Sequence, residues 1–475
     1  MYKILPALLL FSSSLFSQNY IVDESFYQGS GIFSETEVTS MLELPDNKIF
    51  VSFITTVNYY GINNKSFFVI NENGSLSSSF FCGSCLSSGN VDHSLLAGDK
   101  IIIAGNFSSY NGVDRKYIAK VNLDGSLDTT FNANILSDES LVYYISKIDL
   151  YESDGPIYDP KIYISGYFRN LSFDIIANPL LRLNFNGSLD TSFNLDDSLD
   201  DLIIRNFTVL DDGKILVEVT DLFDDRFILL NNDGSIHTDF SNLEFSVYEI
   251  NSMLILDDGK LLVAGRFYLN SNEYILLKFN VDGSIDESFP LYNHPYENVP
   301  FFGYELVKHN DGIYFSGKFD SFYGSSIDDF VLLNSDGTLN SNFDMGGVSE
   351  EFGYDTSFIS TVLPLSNGKI MIGGEFYRVN GEITKVMARL QPANLNVDKY
   401  EMSNDLIVYS QSETTYFNSI NNSISSIQFY DISGRLIDST IVNSDTYSCT
   451  LPNNSLILYR IFLNDGAIVT GKVIR

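Results

Sequence analysis

From about residue 20 to residue 391, short apolar runs are cut at regular intervals by Asp-Gly or Asn-Gly turns, and each run has the length of a strand rather than a helix. Two units alternate. "LDDGKLLVAGRF" (Leu256–Phe267) is a turn followed by an apolar strand, and "NVDGSIDESF" (Asn280–Phe289) begins at the end of a strand with an Asn-x-Asp-Gly-Ser turn. Asp-Gly between apolar runs signals a hairpin, because Gly takes the positive φ of a tight turn and Asp hydrogen-bonds the turn backbone. The second unit recurs at Asn71–Phe80, Asn122–Phe131, Asn184–Phe193, Asn231–Phe240 and Asn334–Phe343. Its turn glycines, Gly74, Gly125, Gly187, Gly234, Gly283 and Gly337, are spaced by 51, 62, 47, 49 and 54 residues. Such a period fits a four-stranded propeller blade with its loops.

The first unit occurs with its lysine at Lys48, Lys100, Lys161, Lys214, Lys260 and Lys369, and once more without it at Gly312. Seven copies of one unit therefore stand against six of the other. The missing copy lies at the opposite end, where "VDESF" (Val22–Phe26) matches "IDESF" (Ile285–Phe289). The pattern predicts an all-β, seven-bladed β-propeller over residues 18–391 whose N-terminal strand completes the last blade and so removes two exposed sheet edges. Within it Asp23, Asp128, Asp190 and Asp286 are expected to bond turn backbone ahead of the anchoring Phe26, Phe131, Phe193, Phe289 and Phe343. Gly105, Gly166, Gly265, Gly317 and Gly374 close apolar strands and permit a bulge or close packing. The phenylalanines two positions later, Phe107, Phe168, Phe267, Phe319 and Phe376, are expected to fill the space between sheets. Phe53 and Val219 replace that glycine in the first and fourth units, which predicts local distortion there.

Composition narrows the function. A net charge of −33, from 28 basic and 61 acidic residues, opposes nucleic acid, whose phosphates would be repelled. Residues 1–17, "MYKILPALLLFSSSLFS", read as a secretory signal peptide, and no later stretch is apolar enough for long enough to span a bilayer. "FCGSC" places Cys82 and Cys85 as a loop disulfide of an exported protein, since no second CxxC or His pair completes a metal site.

These units resemble delta-60 repeats, bacterial surface-protein repeats of the form "DGKilvaGxF…lnxDGslDxsF". The resemblance implies a propeller and carries no catalytic residue to transfer. After a linker at 392–403 the period stops, and residues 404–475 read as a small β-sandwich with turns at Ser433-Gly434 and Asp465-Gly466. "IQFYDISGRLI" (Ile427–Ile437), "LILYRIFLNDG" (Leu456–Gly466) and the terminal "GKVIR" resemble the type A-like C-terminal sorting domain of the bacterial type IX secretion system. The resemblance implies Sec export to the periplasm, passage by the type IX machinery, and a secreted or outer-surface location.

No catalytic constellation emerges. There is no nucleophile elbow of G-x-S-x-G type, and His93, His237, His294 and His309 form no H-E-x-x-H site. Asp196, Asp197, Asp200 and Asp201, with Asp224 and Asp225, break the repeat as candidate calcium loops, but they lack the Asp-x-Asp-x-Asp-Gly spacing, so no cofactor or metal site is expected. The two longest inserts carry Tyr143, Tyr144, Tyr151, Tyr158, Tyr292 and Tyr296, which suit stacking on a glycan or peptide. The reading is a monomeric, non-catalytic binding or adhesion propeller with an extracellular glycan or protein ligand. The alternative is a secreted propeller hydrolase or lyase acting on polysaccharide or peptide.

Overall fold

A computed structural model describes residues 18–26, 36–59, 62–133, 144–152, 159–167, 179–200, 202–220, 225–238, 244–269, 272–290, 302–309, 312–319, 322, 329–340, 343–349, 357–393, 406–411, 414–419, 422–431, 434–451, 456–466 and 468–474. The chain divides into two compact units, Met1–Pro392 and Ala393–Arg475. Most of the expected linker, 394–403, lies outside the described residues.

The first unit is a β-propeller. Its inner strands are Val38–Leu44, His93–Ala97, Tyr144–Tyr151, Ile203–Val209, Glu244–Ile255, Phe302–His309 and Phe358–Pro364, each paired antiparallel to a second strand that pairs in turn with a third. Among the described residues these strands form seven blades, numbered 1 to 7 along the chain. In blades 1 to 6 the segment after the Asn-x-Asp-Gly turn folds back on the third strand, at the bridges Ile70–Leu76, Val121–Leu127, Leu183–Leu189, Leu230–Ile236, Phe279–Ile285 and Leu333–Leu339. In blade 7 that place is taken by the N-terminal strand Gln18–Val22, with Tyr20 opposite Pro392 and Val22 opposite Leu390. The same strand also pairs parallel to Phe343–Asp344 at the end of blade 6. Each inner strand neighbours the next, and the inner strand of blade 7 neighbours that of blade 1.

The core lies between blades. Phe131 packs with Ile145, Ile162 and Leu183 of blade 3, and Phe193 with Ile204 and Ile215 of blade 4. Phe289, Phe343 and Phe26 do the same for blades 6, 7 and 1. Each anchoring ring therefore fills the space ahead of it along the chain. Phe107, Phe267, Phe319 and Phe376 are buried as expected, while Phe168 lies outside the described residues.

The repeated aspartates do more than cap turns. Asp190 Oδ1 accepts from the Ser192 amide (3.0 Å) and hydroxyl (2.7 Å), the expected turn bond. Its other oxygen takes Arg182 (2.9 Å) and faces Lys161 (3.4 Å), both from its own blade. Asp23 pairs with Arg389 (2.8 Å) and Lys369 (2.7 Å), Asp128 with Lys120 (3.5 Å), and Asp286 with Lys260 (2.7 Å). The third-strand cations also reach forward to the turn of the next blade. Lys120 donates to the Phe185 carbonyl, Arg182 to Asn232, Lys278 to Asp336, and Arg389 to Glu72. Each cation also lies over an anchoring ring, Phe131, Phe193, Phe289 and Phe26 respectively.

Blades 1, 4 and 6 carry Ser77, His237 and Asn340 in place of the acid, and Val69, Leu229 and Leu332 in place of the cation. In all seven blades the amide of the first residue bonds the carbonyl of the second, so the two positions face each other. Acid and cation are present together or absent together because a buried charge without its partner costs more than an apolar pair. His237 is therefore one half of a paired replacement, with Leu229 as the other.

The expected distortion does not track the two glycine replacements. Blade 1, with Phe53, skips from the Ser52–Phe67 pair to Val57–Lys65 between its second and third strands, but blade 5, which keeps Gly265, likewise skips from Ala264–Leu276 to Phe267–Tyr274. Blade 4, with Val219, keeps an uninterrupted ladder from Ile215–Leu230 to Thr220–Asp225. Cys82 and Cys85 form the expected disulfide.

The second unit is a sandwich of two sheets. One holds Leu406–Gln411, Thr414–Ser419 and Thr446–Cys449; the other runs in the order Leu436–Ser444, Ile424–Tyr430, Leu456–Leu463, Ile468–Ile474. Phe417, Ile427, Phe429, Ile457, Tyr459 and Ile461 are buried between them. Gly434 and Gly466 take the positive φ expected of its turns.

Arg182 and Asp190 are 5% and 7% exposed, so Asp190→Ser alone should strand a buried guanidinium and cost about 3–5 kcal/mol in denaturant unfolding. Asp190→Ser with Arg182→Val, the pair that blade 1 uses, should recover most of that loss. Burial tends to raise the carboxyls of Asp23 and Asp190, but hydrogen bonds from Ser25, Lys369 and Ser192 and the facing arginines hold both down to about 2. A depressed carboxylate stabilises the fold above its unfolded value, so this contribution should fade from about pH 4 to about pH 2, and the double variant should lose less stability across that window.

Candidate functional site

The seven inner strands enclose a channel of about 1010 Å³. Its wall is built by one repeated irregularity. Between inner and second strands the pairing skips one residue at Thr39, Ser146, Arg205, Asn251, Tyr304 and Ser360. In blade 2 the ladder starts just past the equivalent Asp92, whose amide bonds the Ala104 carbonyl. A bulge turns two successive residues to one side, and both residues of every such pair line the channel: Thr39-Ser40, Asp92-His93, Ser146-Lys147, Arg205-Asn206, Asn251-Ser252, Tyr304-Glu305 and Ser360-Thr361. The glycines of the second strand explain themselves here. A Cβ on Gly374 would lie 2.2 Å from the Phe358 carbonyl oxygen, and one on Gly265 2.1 Å from that of Glu249, so the bulged strand occupies the side-chain space.

The pairs sew neighbouring blades together. Thr39 donates to the Val91 carbonyl (2.7 Å), His93 bonds the Ser146 backbone, and Lys147 donates to Asn206 Oδ1 (2.7 Å). Asn206 donates to the Asn251 carbonyl (3.1 Å) and Asn251 to the Gly303 carbonyl (2.9 Å). Glu305 accepts from the Val362 amide, and Ser360 donates to the Val38 carbonyl (3.1 Å). Every blade interface thus carries one of these bonds.

Burial shifts the titratable members. It pushes Glu305 up from 4.5 to about 7, against the Val362 and Thr361 hydrogen bonds and the charge of Lys147. Burial, with Lys147 nearby, brings His93 down to about 4, so this imidazole is neutral near pH 7. Burial also lowers Lys147, opposed by Asp149, Glu218 and Glu305. Glu218 stands where the other blades carry Ser52, Ala104, Ser165, Ala264, Ser316 and Gly373, a substitution that answers the lysine. Tyr304 stacks on Phe358, with centroids 4.8 Å apart and planes 21° apart.

Of the tyrosines expected to form a binding face, only Tyr144 and Tyr151 fall within the described residues; Tyr143, Tyr158, Tyr292 and Tyr296 lie outside them. The first insert is no single loop, because the inner strand Tyr144–Tyr151 runs through it and places Tyr144 and Tyr151 about 23 Å apart at opposite ends. Tyr151 packs against the blade 4 core. The second insert runs on into the inner strand of blade 6, where Tyr304 and Glu305 reach the channel. The sequence held a usable signal, since the second member of the pair falls eight residues before the turn lysine in blades 1, 4, 5 and 7. Among the described residues no group of three or more acids, histidines or cysteines is placed to hold a metal, and Asp196 instead caps a short 3-10 turn through Ser198. Gly312–Lys318 has the G-x-x-x-x-G-K spacing of a phosphate loop, but it is the second strand of blade 6, and Phe319 follows where Ser or Thr is required.

A β-propeller domain of unknown function (DUF5122) matches residues 99–131, 159–193, 256–289 and 365–399. These are blades 2, 3, 5 and 7, the four that carry the acid–cation pair. A second domain of unknown function (DUF8694) matches residues 395–475. No curated protein matches the chain. Similar solved structures include PorZ, a surface component of the type IX secretion system of Porphyromonas gingivalis (11% identity, 98% of this chain, 60% of that one, TM-score 0.43). Another is what is described as the extracellular domain of a one-component system of B. thetaiotaomicron (9% identity, 97% and 58%, TM-score 0.42). A third is the Dos1 propeller (12% identity, 80% and 82%, TM-score 0.42). The chain spans about 60% of the length of the first two. Among the described residues no helix is long and apolar enough to cross a membrane.

An acid whose folded value is raised favours the fold at low pH and loses that contribution as pH rises through the folded value. Glu305 should therefore lower stability between about pH 4.5 and 7. Glu305→Gln should flatten the melting-temperature profile over that window, gaining on wild type at pH 8 relative to pH 5.

Proposed function

We propose that this protein is an exported, non-catalytic binding propeller of seven delta-60 blades, that its ligand enters the central channel, and that its second unit is a type IX sorting domain. One observation carries the channel reading. The repeats agree at turns, anchoring rings and strand glycines, yet the pair facing the channel differs in all seven blades, from Thr39-Ser40 to Ser360-Thr361. The position just before the pair is uniform by comparison: Val38, Val91, Ile145, Ile204, Ile250, Gly303 and Ile359. A constraint of folding acts alike on every blade, whereas recognition of one asymmetric ligand acts on each blade differently.

The export reading rests on the leader-like residues 1–17 and the sorting motifs Ile427–Ile437 and Leu456–Gly466. One feature favours a hydrolase or lyase instead: Glu305 lines the channel, and burial there pushes its carboxyl up to about 7. Its bond to the Val362 amide gives it a structural occupation and favours binding. Purified protein tested against chromogenic glycosides, esters and peptides should show no turnover. Turnover that survives repurification and disappears in Glu305→Gln at unchanged melting would establish the enzyme. For export, a chain ending at residue 403, expressed in a host with the type IX system, should fold and remain periplasmic; wild-type amounts at the surface would remove the sorting role.

A further inference from the structure

We infer that the channel ligand is a neutral, polyhydroxylated molecule, a short saccharide held by hydroxyl, amide and charged groups of the wall; this rests on the channel being the binding site. The volume suits a ligand of a few sugar units, being at the upper end of ordinary small-molecule pockets. The charge pattern selects among ligand classes. A polyanion would meet Asp92, Glu249 and Glu305 within a protein of net charge −33. A polycation would meet Lys147 and Arg205, and it would find acids already engaged: Glu305 by the Val362 amide, Asp92 by Asn90, and Glu249 by the charge of Arg205. An apolar ligand would strip water from a wall of hydroxyls, amides and ions.

A saccharide hydroxyl donates and accepts at once. The wall alternates groups that only donate, such as Arg205, with groups that accept, such as Glu305, and with Asn206, which does both. Tyr304, stacked on Phe358, adds an aromatic surface for the C–H face of a sugar ring. Because the ligand carries no charge, its binding should depend little on ionic strength.

The test is calorimetric titration of the full chain from residue 18 with three probe sets: neutral gluco-, manno-, galacto- and xylo-oligosaccharides, an oligouronate, and oligolysine. At least one neutral oligosaccharide should bind saturably, with affinity unchanged between low and high salt. Asn206→Ala should weaken it by about tenfold or more. That substitution also removes interblade bonds, so Arg205→Trp serves as a second variant. Arg205 lines the channel, is exposed, and makes none of the interblade bonds, so bulk added there narrows the channel while leaving those bonds in place; it should abolish binding at unchanged melting. Failure of every neutral oligosaccharide to bind would overturn the saccharide. Capture of oligouronate or oligolysine, lost in Arg205→Trp, would overturn the ligand class and leave the channel standing. Neutral-sugar binding untouched in both folded variants would overturn the channel and the saccharide assignment together.

Discussion

The propeller hangs on a bridge at four blade boundaries: an aspartate, a cation on the facing strand that meets it at three of them, and a backbone carbonyl in the next blade's turn. At the fourth, Asp286 pairs with Lys260 while Lys278 faces Asp258 and the Asp336 carbonyl. Burying the cation is tolerable only because its charge meets an aspartate and its remaining donors meet the carbonyl. The bridge therefore couples the pairing within a blade to the docking between blades. It matters most at the seam. There Asp23 comes from the N-terminal strand, Arg389 and Lys369 from blade 7, and the Glu72 carbonyl from blade 1. Three distant segments of chain meet at one carboxylate, and the ring closes through side chains as well as through the Tyr20–Pro392 ladder.

The three boundaries without the bridge show what it replaces. Val69, Leu229 and Leu332 take the cation's place, and a neutral or weakly basic residue takes the acid's. Apolar packing there substitutes for a satisfied ion pair, with none of the penalty of stranding half of one. Both arrangements fit the same backbone, so each blade was free to take either, provided the two positions changed together.

Much of the fold was legible because its determinants are local and repeated. Turn glycines, anchoring phenylalanines and the "VDESF" fragment each act within a few residues, so counting them yields blade period and ring closure. The ion pairs were missed because their partners lie eight residues apart in blades 2 and 3 but 366 apart at the seam, and only the hairpin register brings them opposite. The channel was missed for a different reason. Attention to long loops favours aromatic residues between strands, whereas the bulge hides functional positions inside a strand that reads as ordinary sequence. Tyr151 shows the hazard, since it lies in a conspicuous insert and yet packs against a neighbouring core.

The bulge also explains how one repeat serves stability and recognition with little conflict. By turning two residues into the lumen, it frees them from the core packing that keeps Val38, Val91, Ile145, Ile204, Ile250 and Ile359 alike. What the lumen asks of each pair is one bond to the next strand, and that demand is loose: a threonine, a histidine, a lysine, an asparagine, a glutamate and a serine all meet it. The other member of the pair, or the unused hydrogen-bonding capacity of the bonded one, is then open to selection by a ligand. A glycine opposite the bulge removes the steric cost in five blades, while Phe53 and Val219 show that the backbone can hold the bulge without it. The channel's variety is thus permitted by the regularity of the layer behind it.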